Sequence, residues 1–221
     1  MKIATLWYLL IFTISFTTLY GCKNDNPKPA VPVPVRDIDG NTYKTITIGN
    51  DTWLAENLNV THYRNGDAIL ASSTNLDTGA YCNYNNDPAM GDIYGKLYNN
   101  AVIHDSRNVC PAGWHLPTDA EWHDLATALG GDNAAGGALK ESGNAHWNNP
   151  NTGASNSSNF NALPAGNNGS GTFVDMGNAT YFWSNPGDTY TRALNTANLE
   201  LMGTSNTYHN QFLSIRCVKD K

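Results

Sequence analysis

Cys22, Cys82, Cys110 and Cys217 have the widest chemical reach of any side chains in this sequence. Thiolates attack carbonyls, exchange disulfides and hold zinc. Zinc needs ligand pairs a few residues apart, and no Cys-x-x-Cys or Cys/His spacing of that kind occurs. His62, His104, His115, His123, His146 and His209 are scattered. No metal and no cofactor is therefore expected. Gly169-Ser170-Gly171 lacks the Gly-x-Ser-x-Gly pattern that raises a nucleophilic serine on a strand-to-helix turn. The 19 acidic residues show no spacing that marks a glycosidase pair. Asp119, Glu121 and Asp124 crowd one short stretch, where the dipole of a helix start accounts for them. His115 precedes that start and reads as a hydrogen-bonded entry residue, whereas His123 falls on an exposed helix side.

Recognition chemistry is better represented. Between Ser184 and Gln211 stand Tyr190, Arg192, Asn195, Asn198, Asn206, Tyr208, His209 and Asn210, with Trp183 just ahead. Tyr, Asn, Ser and Gly build adaptable binding surfaces. An amide both donates and accepts, which suits sugar hydroxyls beside an aromatic ring. Arg192, Asn195, Asn198, Tyr208, His209 and Asn210 are the candidate ligand contacts. A plainer account is available: Asn and Tyr also form turns and solvent-facing strand positions, and Trp is usually core.

Composition narrows the partners. The chain has 221 residues and a formal net charge of −6. Nucleic-acid affinity comes from Lys and Arg neutralising phosphates, so this balance argues against a nucleic-acid partner. It also argues against docking on anionic lipid through a basic face. Charged residues are 14% of the chain, against about 25% in an average soluble domain. Hydrophobic residues are 40%, enough for a packed core. The many turn formers argue against a helical bundle.

Met1-Lys2 is a basic start, Ile3 to Leu19 is apolar and uncharged, and small residues follow. This is the pattern of a secretory signal peptide, placed at 1–21. Leu19-Tyr20-Gly21-Cys22 resembles the lipobox of bacterial lipoproteins. That resemblance implies lipidation of Cys22, a membrane anchor through the lipid, and a bacterial cell-envelope location at the outer membrane. Residues 22–34 hold a proline-rich run, Pro27, Pro29, Pro32 and Pro34, which favours an extended tether. Residues 35–221 read as one domain. With Cys22 set aside, three cysteines predict one disulfide and one leftover thiol. Cys110–Cys217 and Cys82–Cys110 are the competing pairings.

Periodicity supplies the elements. Tyr43–Ile48 and Thr52–Leu58 alternate around Gly49-Asn50 and predict a hairpin. Lys96–His104 predicts a short helix. Thr118-Asp119-Ala120-Glu121 is a capping box, followed by the stripe Trp122, Leu125, Ala126 and Leu129, and Gly130-Gly131 ends that helix. Residues 130–137 and 148–159 read as loops. Thr172–Asp175, Thr180–Ser184, Tyr190–Leu194, Leu199–Met202 and Phe212–Val218 read as strands. Two helices followed by short antiparallel strands make an α+β fold.

Several segments also carry a family resemblance. They are Tyr81–Asp87 (YCNYNND), Tyr94–Val102 (YGKLYNNAV), Val109–Trp122 (VCPAGWHLPTDAEW) and Ser214–Val218 (SIRCV). Gly136–Gly143, His146–Gly166 and Tyr181–Ser184 fit as well. Together they resemble the Fibrobacter succinogenes major paralogous domain, a family of exported bacterial proteins. That family is similar in turn to the C-type lectin-like fold and to formylglycine-generating enzymes. The resemblance implies two helices flanking small twisted sheets, ligand loops ahead of the last strand, and the pairing Cys110–Cys217. It also implies what is missing. Those enzymes use a close pair of redox cysteines near the C-terminus, and only Cys217 lies there. Lectins of the fold bind calcium through acidic triplets. Trp147-Asn148-Asn149-Pro150 and Trp183-Ser184-Asn185-Pro186 lack the acidic oxygens of a hard calcium site. The expectation is a non-catalytic envelope lipoprotein that binds a glycan or a protein, with a structural or assembly role as the alternative.

Overall fold

Alternation in the first folded segment yields the expected hairpin, but its second strand ends at Leu54 rather than Leu58. Thr45–Ile48 and Asp51–Leu54 pair antiparallel over Gly49-Asn50, with Gly49 in the left-handed region at φ +61°. The computed structural model describes residues 34–71, 77–185, 190–205 and 211–221. The signal peptide, Cys22 and all of the proline-rich tether except Pro34 lie outside these. Among the described residues, no helix is long and apolar enough to cross a membrane.

The chain runs β1 (Val35–Arg36), β2 (Thr42–Tyr43), β3 (Thr45–Ile48), β4 (Asp51–Leu54), β5 (Leu70–Ala71) and β6 (Ala80–Cys82). Then come α1 (Pro88–Tyr94), β7 (Leu97–Asn99), α2 (Asn100–Ile103), β8 (Trp114–His115), α3 (Asp119–Ala128) and α4 (Asp132–Leu139). It closes with β9 (Ala165–Gly169), β10 (Thr172–Met176), β11 (Ala179–Trp183), β12 (Tyr190–Asn195), β13 (Met202–Ser205), β14 (Gln211–Leu213) and β15 (Val218–Lys219). The larger sheet has the order β13-β12-β11-β9-β14-β7-β6-β5, with β10 paired to β9. The smaller has the order β3-β4-β15-β8, so the last strand sits between the first hairpin and the segment entering α3. The architecture is α+β.

Four expectations change. Lys96–His104 is not one helix: Leu97–Asn99 pairs with both β6 and β14, and the helix starts only after Asn99, whose side chain accepts from Val102 N. Residues 130–137 are not a loop: 132–139 form α4. With α1 over Pro88–Tyr94, where no element was expected, the described residues contain four α-helices, not two. Glycine allows α4 to sit where it does, because a Cβ on Gly136 would stand 2.6 Å from the carbonyl oxygens of Leu199 and Glu200. The strand expected at Leu199–Met202 is displaced to Met202–Ser205. The strand expected at Phe212–Val218 is split, as β14 and β15 join different sheets.

Thr118 caps α3 as its sequence predicts, its Oγ1 accepting from Glu121 N while Glu121 returns to Thr118 N. Trp122, Leu125 and Ala126 are buried beneath it. Trp122 lies 4.7 Å from Trp53 and 5.5 Å from Phe182, centroid to centroid, making an aromatic centre between the two sheets. A second cluster gathers Leu58, Tyr98, Trp183 and Ile215 around the Cys110–Cys217 disulfide. This is the pairing implied by the resemblance.

Candidate functional site

Arg192, Asn195 and Asn198 lie at the β12–β13 hairpin, and their contacts are intramolecular. Arg192 is 6% exposed and ion-paired with Asp119 at the start of α3. Asn195 Oδ1 accepts from Ala197 N at 2.8 Å and Asn198 N at 3.1 Å, and Asn198 Oδ1 accepts from Glu200 N at 3.1 Å. These are Asx turns, in which a short amide imitates the backbone. Buried Lys140 locks the turn from beneath, donating to the carbonyls of Thr152, Asn195 and Asn198 at 2.9–3.0 Å. Burial pushes its ammonium pKa down to about 8. Tyr208, His209 and Asn210 lie outside the described residues. Trp183 is core, its Nε1 donating to Tyr98 O at 2.7 Å.

The groups with covalent reach are dispersed. Cys110 and Cys217 are joined, and Cys82 is buried with its thiol pushed up to about 12 by desolvation. His115 is held at both ring nitrogens, Nδ1 at 2.7 Å from Asp220 and Nε2 at 3.0 Å from Glu121. His146 sits 2.8 Å from Glu141, and His62 pairs with Asp39. No group of three or more His, Cys, Asp or Glu side chains among the described residues is placed to hold a metal ion.

A cleft of about 360 Å³ opens elsewhere, between residues 40–43, the segment after β4, the end of α1, and Asn161 with Leu163. Its size falls within the usual range of small-ligand sites. Asn41, Glu56, Asn59, Asp92, Tyr94 and Asn161 supply its polar lining. Ile93 stands beside them, 47% exposed.

Local chemistry explains these placements. Gly95 turns the chain out of α1 at φ +76°, and a Cβ there would stand 2.7 Å from Asn57 Cβ. Only glycine lets the two walls meet so closely. Asn57 Nδ2 donates to Tyr94 O at 2.8 Å, tying the walls together. Asn59 is held at its backbone N–H by Tyr43 OH at 3.0 Å, and Tyr43 in turn donates to buried Asp37 at 2.6 Å. Burial raises the Tyr43 pKa, so it stays a neutral donor. Lys96 Nζ reaches Asn59 Oδ1 at 2.6 Å, its own pKa lowered by burial.

Arg216 closes the cleft from behind. It is 1% exposed. Its Nε donates to Asn57 Oδ1 at 2.7 Å, and its Nη1 donates to Leu54 O at 3.0 Å and Phe160 O at 2.8 Å. The guanidinium lies 4.2 Å from the Phe160 ring centroid. Desolvation lowers its pKa to about 9.

Sequence reasoning passed over Glu56, Asn57, Asn59 and Asp92. The available signal was the Glu-Asn-Leu-Asn run just after a strand, where polar residues alternate with buried Leu58 and Val60. Arg216 was visible only as part of a motif.

No curated protein and no solved structure matches the chain. The family model of the Fibrobacter succinogenes major domain matches residues 46–219, a span that includes the two larger sheets apart from Thr45, the disulfide and most of the cleft lining, and leaves out the β1–β2 pair. On that match, the chain belongs to the Fibrobacter succinogenes major domain family.

Proposed function

We propose that this protein is a non-catalytic recognition domain, held at the bacterial envelope by a lipid on Cys22, that takes a glycan or protein ligand in the cleft beside Asn59. The cleft carries this reading. Its walls combine amides, carboxylates and tyrosines on a rigid frame, the chemistry that matches hydroxyls and peptide groups. The C-terminal candidates Arg192, Asn195 and Asn198 then act as the frame of a neighbouring hairpin. The architecture is of the C-type lectin-like kind, with the last strand between the first hairpin and β8 and the end of the domain clasped to its middle at Cys110–Cys217. A non-catalytic role is supported by the state of the reactive groups. The thiol of Cys82 is buried and strongly protonated at neutral pH, and His62, His115 and His146 each pair with a different carboxylate.

The test is a glycan array and a peptide array probed with purified protein, beside Asn59→Ala and Asp92→Asn variants. Saturable binding that falls at least about tenfold in the variants is the expected result. Co-purification of a stoichiometric partner, indifferent to both substitutions and without array hits, would replace recognition at the cleft by an assembly role. Anchoring is tested separately: palmitate labelling should follow the wild-type chain and vanish in Cys22→Ala.

A further inference from the structure

Arg216 poses an electrostatic problem. A fully buried guanidinium is normally matched by a carboxylate, because an isolated buried charge is costly. Here every group that accepts from it is neutral: Asn57 Oδ1, Leu54 O, Phe160 O, and Asn161 O at 3.3 Å. No salt bridge to Arg216 exists among the described residues. The carboxylate whose field reaches it is Glu56, which lines the same cleft. Asp92 adds a second, exposed negative charge to that lining.

The cleft is therefore dipolar, with Arg216 behind its floor and the Lys96 ammonium on Asn59 as its positive groups, and Glu56 and Asp92 as its negative ones. A purely anionic ligand would gain at one end and lose at the other, and so would a purely cationic one. A ligand carrying both charges gains at both ends. The amides between support such a pose. Asn59 and Asn161 line the cleft, and their Nδ2 groups make no hydrogen bond among the described residues. They are donors available to a carboxylate, with the charge of Arg216 behind them. Exposed Ile93 and the half-buried ring of Tyr94 offer apolar contact for a side chain.

We infer that the cleft takes an α-amino-acid-type zwitterion, such as an amino acid or the charged end of a peptide, with its carboxylate toward Arg216 and its ammonium between Glu56 and Asp92. This rests on reading the cleft as the ligand site, and it selects the charged peptide end over the neutral glycan.

The experiment is calorimetric titration of the full-length protein in detergent with L-leucine, acetate, methylammonium, and leucine blocked at both ends as an amide. A neutral disaccharide and an aminated acidic sugar complete the set. Leucine should bind at least about tenfold more tightly than acetate, methylammonium or the blocked form. That preference should disappear in E56Q/D92N and shrink in D92N alone, whose exposed position leaves the thermal midpoint unchanged. Leucine binding no better than its blocked form, or untouched by E56Q/D92N, would overturn the inference. If the disaccharide binds and Asn59→Ala abolishes that binding while leucine fails, recognition at the cleft survives and the zwitterion does not. If the aminated acidic sugar outcompetes leucine, the same charges belong to a glycan and the amino-acid assignment is wrong. Absence of binding by every probe sinks this inference, while the arrays judge the cleft independently.

Discussion

Arg216 and Asn57 stand 159 positions apart in the chain and meet at 2.7 Å, the guanidinium Nε donating to the amide Oδ1. The same Asn57 side chain donates to Tyr94 O and to Ser214 Oγ. One amide thus joins the segment after the first hairpin, the exit of α1 and the approach to the last strand. Asn57→Ala leaves a guanidinium N–H and a carbonyl unsatisfied in a buried site. A loss of about 2–4 kcal/mol in urea unfolding is expected, with the slope unchanged. A loss under about 0.5 kcal/mol, the usual range for surface positions, would show that the bond is not needed.

The disulfide closes the domain over a sequence separation of 107 residues. Loop-closure entropy sets an upper figure of about 4–5 kcal/mol for a loop of that length. The double variant Cys110→Ser, Cys217→Ser should lose up to that amount in denaturant titration. Wild-type protein under reductant should approach the same midpoint.

Lys140 makes stability depend on alkaline pH. Its folded pKa of about 8 lies below the ordinary 10.5. Between those values the unfolded chain binds more protons than the folded one, so this group raises stability as pH climbs from about 8 toward 10.5. Below about pH 8 both states are protonated and its slope vanishes. The integrated gain is on the order of 3 kcal/mol. Lys140→Met should remove it, read as the wild-type-minus-variant difference in unfolding free energy from pH 7.5 to 10. A flat difference, or one that falls with pH, would contradict the assignment.

Cys82 should be inert in the native state. Its thiol is buried, with a pKa pushed up to about 12. Treatment with a chromogenic disulfide at pH 8 should titrate no thiol on Cys82 until denaturant is added, and then one at full rate. Prompt reaction in the native protein would show an open, acidic site.

How much was legible depended on the reach of each interaction. Thr118 and Glu121 are three positions apart, so the capping box is written locally, and α3 starts where it predicts. Gly49-Asn50 turns its hairpin for the same reason. Leu97–Asn99 carries a helical pattern, yet becomes a strand because β6 and β14 offer backbone partners on both sides. The glycines of α4 look like loop residues until the loop carrying Leu199 lies against them. The Cys110–Cys217 pairing came from family resemblance, since spacing left two choices.

By itself the sequence determined the caps, the tight turns, the α+β class and the family, all of which depend on neighbours a few residues apart or on contiguous motifs. Tertiary structure alone decided the fate of the charged groups. Arg192 finds Asp119 from 73 positions away, Lys140 finds carbonyls up to 58 positions away, and Arg216 reaches the cleft behind Asn57. Burial and partner set what a charge can do, and both exist only once distant segments have closed on one another.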